Sequence, residues 1–194
     1  MSIGDWIYDI FGNSEWGVLL CIFLIFLVDA LIFPALPELF FAGGMMYNAA
    51  QGGSLLFGAE LILVVVIAEV LGVLSLYYVV GRIRIPKRIE KLVNGYVGFL
   101  VLGDERLILL NRVAPMIPFC GAFIRIACWD IKKSMLYVVA GCVIKYGIIA
   151  IMCDFFFEYY NGPDAQTYTL IFIVLVIAVS FVFSYVMKKR AKKS

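Results

Sequence analysis

Apolar positions along this chain come in blocks, not in the one-sided stripes of a water-soluble helix. Residues 16–33, 55–81, 134–157 and 168–187 are near-continuous apolar runs, and about 20 such residues cross a bilayer as a helix. Two further apolar stretches are interrupted. Pro34, Pro37, Gly43, Gly44, Gly52 and Gly53 break residues 34–54, and Pro115 and Pro118 break residues 107–128. Proline removes a backbone donor and clashes with the preceding helical turn. In lipid the freed groups are tolerated only where they are buried in protein or line a cavity. The pattern therefore predicts four spans and two re-entrant hairpins whose turns are Pro34-x-x-Pro37 and Pro115-x-x-Pro118.

Two segments do show one-sided periodicity. At 2–12, Ile3, Trp6, Ile7, Ile10 and Phe11 share a face, and Ser2 with Asp5 forms a capping box; this predicts an interfacial helix. At 85–100, Ile85, Ile89, Leu92, Val93, Tyr96 and Phe99 recur at helical spacing, with Lys87, Arg88, Glu90, Lys91 and Asn94 on other faces. Pro86 suits a first helical turn, so this segment reads as an amphipathic helix on the cytoplasmic surface.

Composition agrees. Of 194 residues, 64% are hydrophobic, against roughly 45–50% in soluble domains. The expected fold class is an all-α polytopic membrane protein, one membrane domain over 1–194. The N-terminus lacks the basic region of a cleavable signal peptide. Net charge is only +2, and its placement says more. Arg82, Arg84, Lys87, Arg88 and Lys91 form one basic cluster, and Lys188, Lys189, Arg190, Lys192 and Lys193 form another in the tail 188–194. Basic runs beside spans mark cytoplasmic segments and attract anionic headgroups; nucleic acid is not an expected partner. The loop with Asp154, Glu158 and Asp164 reads as external.

A cytoplasmic C-terminus places the last span running inward and 134–157 outward, so the second hairpin is entered from inside. The span 55–81 runs inward, so the first hairpin is entered from outside. Each half is then a hairpin followed by a span, and the halves have opposite topology. Inverted repeats with broken helices at the midplane characterise secondary transporters.

Charges at membrane depth cost about 2.5–3.5 kcal/mol each on insertion scales and must pair, neutralise or face a cavity. Asp29, Glu38, Glu60 and Glu69 lie in the first half, and Arg112, Arg125 and Lys145 in the second. Arg112 can fork onto a phosphate and stays charged; Lys145 is a second candidate cation. Asp29, Glu38 and Glu69 are candidates to take up protons or couple an ion. The alternative is that Glu69 with Lys145, or Asp29 with Arg112, are ion pairs that only fix packing. Glu60 and Arg125 lie nearer the interfaces, where a packing role is the simpler reading.

The chain has no histidine, which excludes His-based acid–base chemistry and His metal ligation. Cys21, Cys120, Cys128, Cys142 and Cys153 lie in or beside apolar stretches without C-x-x-C spacing and read as packing residues. There is no Gly-rich phosphate loop. An enzyme, a cofactor and a metal site are all unexpected.

Asp29, Phe33-Pro34-x-x-Pro37-Glu38 and Ala42-Gly43, then Gly72 and Tyr78-x-x-Gly81-Arg82, then Asn111-Arg112-x-x-Pro115-x-x-Pro118-Phe119 and Gly141 resemble the DedA family, also called the SNARE-associated or VTT family. The resemblance covers roughly residues 25–160. It implies two facing re-entrant loops and lipid translocation: recycling of polyprenyl phosphate in bacterial members and phospholipid scrambling in eukaryotic ones. The chain departs from the family pattern in three places. Glu38 follows Pro37 directly, Leu74 stands where an acid is common, and Pro118 stands where many members carry a second arginine. Lys145 has no counterpart in that pattern.

The expected function is a transporter moving a phosphate-bearing lipid between leaflets, with proton or cation coupling as an option. Its partners would be anionic membrane lipids, with homo-oligomerisation left open, and its location the cell membrane. Two other readings stand beside it. One is a small ion-coupled exporter of drug-like solutes, whose acids would contact the substrate. The other is a non-transporting membrane scaffold acting through 82–100 and the tail.

Overall fold

The computed structural model describes residues 14–31, 37–82, 104–113, 119–159 and 163–191. Among the described residues the fold is all-α, without a strand. In chain order the helices are α1 (Glu15–Leu31), α2 (Pro37–Ala50), α3 (Leu55–Arg82), α4 (Arg106–Val113), α5 (Cys120–Ile126), α6 (Ile131–Tyr159) and α7 (Pro163–Ala191). The expected surface helices at 2–12 and 85–100, the residues Pro34, Pro115 and Pro118, and the tail beyond Ala191 lie outside the described residues.

Local chemistry sets most helix ends. Ser14 caps α1 by accepting the Gly17 N–H at Oγ, 3.1 Å. Pro37 opens α2, where its missing donor is not needed. That helix stops at Gly52 and Gly53, both at positive φ, which glycine adopts at no steric cost. Asn48 braces the turn: its amide donates to the Ser54 carbonyl and its Oδ1 accepts the Ser54 N–H, both 2.9 Å. Asp130 begins α6 three residues before the expected 134, because its Oδ1 accepts the Lys132 and Lys133 N–H groups at 2.8 and 3.1 Å. Pro163 likewise starts α7 ahead of the expected 168.

Two aromatic contacts fix the path of the first hairpin. Phe26 of α1 and Phe41 of α2 both pack on the ring of Tyr146, at centroid distances of 5.1 and 4.9 Å. Continuous helix would separate Phe26 from Phe41 by roughly 22 Å, so the chain folds back between Leu31 and Pro37. The legs α1 and α2 form one hairpin, and α2 returns through the 51–54 turn to the N-terminal end of α3. There Tyr47 stacks on Phe57, at 5.9 Å. The run at 16–33 thus supplies a hairpin leg of 17 residues.

The second interrupted stretch approaches α3 from its other end. Gly121 of α5 lies against the Val73 carbonyl and Leu76 of α3, and Arg125 lies against Gly81. The 127–130 turn then starts α6 at that same end, so α3 and α6 run antiparallel. The first leg, α4, rises beside α6, with Arg112 against Gly141. Packing between elements has a matched pattern. α1 packs on α3 as α4 packs on α6; α2 packs on α6 as α5 packs on α3; and α3 packs on α6. α7 covers α6 and α2.

Glycines permit the closest approaches. A Cβ at Gly72 would sit 2.5 Å from the Ala30 Cβ and 3.3 Å from the Leu27 carbonyl oxygen, so only glycine lets α1 lie this near α3. The core gathers Phe26, Phe41, Leu61, Val65, Ile124, Tyr146 and Ile149. The outer faces are apolar too: Leu63, Ile67 and Leu71 on α3, Ile144, Ile148 and Ile151 on α6, and Val174, Leu175 and Val179 on α7 are exposed. The helices α3 and α6 are long and apolar enough to cross a membrane.

Candidate functional site

Glu69 and Lys145 each occupy the fifteenth position of their helix, in α3 and α6. Both reach a charge carried by the other half's hairpin. Arg112, at the end of α4, donates from Nη1 to Glu69 Oε1 at 2.8 Å. Lys145 Nζ donates to Glu38 Oε1, next to Pro37 at the start of α2. The pairing differs from both expected alternatives: Glu69 takes Arg112 rather than Lys145, because α4 carries the guanidinium to the middle of α3.

The Glu69–Arg112 pair is enclosed. Its side chains retain 1% and 13% of their accessibility, and Gly141 makes the room. A Cβ there would lie 2.6 Å from Arg112 Cγ. One oxygen and one nitrogen of the pair, Glu69 Oε2 and Arg112 Nε, are buried without a hydrogen-bond partner. An unsatisfied buried polar group costs about 1–3 kcal/mol, so this single-point contact leaves capacity for another ligand. The Glu38–Lys145 pair is more open, at 14% and 21%. Lys145 Nζ also lies 5.5 Å from the centroid of the Tyr146 ring, within cation–π range. That ring, clasped by Phe26 and Phe41, ties the second pair to the hairpin fold.

Asp29 is half-buried two residues before the end of α1, beside Ala30 and so at the level of Gly72, one turn beyond Glu69. Glu60 is half-buried nine residues before Glu69, roughly 13 Å along the helix. Pro37 is buried at the start of α2. Pro34, Pro115 and Pro118 fall outside the described residues.

Two elements of the centre escaped the sequence reading. Gly141 was noted only within the family pattern, and its packing on Arg112 is visible only in the tertiary contact. Tyr146 had no signal beyond its place next to Lys145. Phe119 opens α5 in the left-handed region, φ 53° and ψ 59°, a conformation that costs roughly 1–2 kcal/mol in a non-glycine residue. The five cysteines carry no disulfide, and no cluster of metal-ligating side chains occurs among the described residues.

A second charged group sits at the end where α3 finishes and α6 begins. Glu105 Oε1 accepts the Asp130 N–H at 3.0 Å, which holds the Glu105 carboxyl below its ordinary range. Asp130 is lowered too, chiefly by the Lys133 N–H it accepts. Both acids are engaged in helix starts. No protein-family model, curated protein or solved structure matches this chain.

Proposed function

We propose that this chain is a multi-pass membrane protein that passes a phosphate-bearing lipid between leaflets through the Glu69–Arg112 and Glu38–Lys145 centre. The observation that carries the reading is the incomplete, enclosed Glu69–Arg112 pair, between two hairpins that approach α3 from opposite ends. Support for the membrane setting is the inside-out pattern. The long helices expose apolar side chains and bury charges, an arrangement that water disfavours and lipid requires. The matched packing of α1–α2–α3 and α4–α5–α6 supports an inverted repeat, and α7 adds a shorter apolar segment, Thr167–Ser180. The same two halves carry the residues that resemble the DedA family.

In the paired state Arg112 is neutralised by Glu69. A phosphate reaches the guanidinium only if Glu69 leaves or takes up a proton. Protonating Glu69 as phosphate binds Arg112 keeps the centre electrically neutral, which avoids the cost of an uncompensated buried charge. Lys145 offers a second contact when Glu38 is released the same way, and Asp29, near the level of Gly72 on α3, is a candidate to exchange protons with the centre. Arg112 suits the task because its fork binds phosphate at two points and stays charged throughout.

Reconstitution of wild type and Arg112→Ala in liposomes carrying a fluorescent phosphate lipid tests this. The expected result is at least tenfold slower lipid movement in the variant, and dependence of the wild-type rate on a pH gradient. Equal movement in both removes Arg112 from the mechanism. It would favour the scaffold reading, to which the closed state of both pairs also lends weight.

A further inference from the structure

Away from the central pairs, one cation is held in a shaped position at the protein surface. Arg125, in the last turn of α5, donates from Nη1 to Tyr77 Oη at 3.1 Å. Its Cζ lies 5.2 Å from the centroid of the same ring. The Gly81 backbone lies directly beneath: a Cβ there would be 3.0 Å from Nε and 3.3 Å from Cζ. A ring on one side and a glycine notch on the other orient the guanidinium, yet Arg125 remains exposed. Among the described residues it has no carboxylate partner. The nearby acids Glu105 and Asp130 accept backbone N–H groups of the α6 start instead.

We propose that Arg125, set in the Tyr77–Gly81 notch, docks the phosphate of an anionic membrane lipid whose chains lie along α3. The occupant follows from what adjoins the guanidinium. One position round the helix, Leu71 and Tyr78 are exposed apolar side chains, and Arg82 closes the row with a second exposed cation. An anionic head with an apolar tail covers both parts of this surface. A soluble phosphate leaves the apolar part bare, and a nucleic acid places phosphates against it. Arginine fits where lysine would not, because one edge of the planar group is engaged by Tyr77 while the others stay free to fork onto phosphate oxygens. The site rests on the membrane-lipid reading above and adds to it a station where a lipid is held before or after the central passage.

Trp129 reports locally: its ring packs on Phe123, at 5.3 Å, in the turn that follows Arg125. With Trp6 and Trp16 replaced by Phe, the full chain is placed in phosphatidylcholine nanodiscs containing either chain-brominated phosphatidic acid or chain-brominated phosphatidylcholine. Phosphatidic acid should quench Trp129 roughly threefold to tenfold more strongly per mole, the range of an exposed charge-assisted contact. Arg125→Ala and Arg125→Lys should both lose most of that preference, and Lys132→Ala should keep it. Equal quenching by the two lipids overturns the site. So does a preference retained in Arg125→Lys, or lost equally in Lys132→Ala, since either reduces the effect to diffuse charge. Abolition by inorganic phosphate at constant ionic strength would assign the notch to a soluble anion and also overturn it. The readout is equilibrium occupancy, so its failure sinks this site alone, whereas normal lipid movement by Arg112→Ala sinks only the transport reading.

Discussion

Glu69–Arg112 and Glu38–Lys145 each join the middle of a long helix to the opposite half's hairpin, but the surroundings set them apart. The first pair is almost wholly enclosed, with Glu69 keeping 1% of its accessibility, and leaves Glu69 Oε2 and Arg112 Nε unmatched. The second keeps 14% and 21% and leans on an aromatic face. A guanidinium cannot shed its proton, so opening the first pair requires a proton on Glu69 or an incoming anion. The second pair, less enclosed, is the easier of the two to separate. On the lipid passage proposed above, charges symmetric in position divide the work: a tight pair that discriminates, and a looser one that yields.

The largest expected effect breaks the tight pair. Glu69→Leu leaves Arg112 buried and uncompensated, which should destabilise the folded chain by about 3–5 kcal/mol, read as loss of the monodisperse species on heating in detergent. Adding Arg112→Leu should restore much of the stability and none of the lipid movement. If the double variant is no more stable than the single one, the pair does not act as a unit.

Next in size, Gly141→Ala places a methyl 2.6 Å from Arg112 Cγ. The overpacking should cost about 1–3 kcal/mol and slow lipid movement by displacing Arg112, while Gly147→Ala, which meets nothing within 4 Å, should leave lipid movement unchanged and stability equal or up to about 1 kcal/mol higher, alanine being the better helix former. Similar losses in both would mean that the Arg112 contact is not what is being measured. Glu38→Gln tests the looser pair. The amide still accepts from Lys145, so stability should fall by about 1 kcal/mol, with the pH dependence of transport changing more than the melting temperature. A drop as large as that of Glu69→Leu would erase the proposed division between the pairs.

The smallest effect lies outside the centre. Asp130 and Glu105 have carboxyls held below their ordinary range in the folded state. Their contribution is present above the usual carboxylate pKa values and disappears as pH falls through the lower folded ones. Asp130→Asn should flatten the acid side of the stability profile without altering lipid movement at neutral pH. Altered transport there would tie this end to the centre.

Much of the outline was legible in the sequence. Apolar blocks and prolines marked where the long helices are interrupted, because proline cannot continue a helix. The charged residues were identifiable because ionisable groups are rare at such positions. Their partners were not legible. Glu69 and Lys145 are both central, and the sequence offers nothing to choose between pairing them with each other and pairing each with a hairpin. The path after the run at 16–33 was not legible either: only the shared contact of Phe26 and Phe41 with Tyr146 shows that α2 folds back beside α1. The Arg125 site was obscured because Tyr77 and Gly81 lie on α3 and Arg125 on α5, and each is ordinary on its own.

Sequence alone determined a largely helical chain with two proline-broken stretches and, within its apolar segments, acids and cations sorted to opposite halves. These are properties of local composition and backbone chemistry. Tertiary structure decided which acid meets which cation, which glycines admit a neighbour, and which arginine stays exposed. Those outcomes depend on where helices cross, and crossing positions follow from the summed packing of residues far apart in the chain.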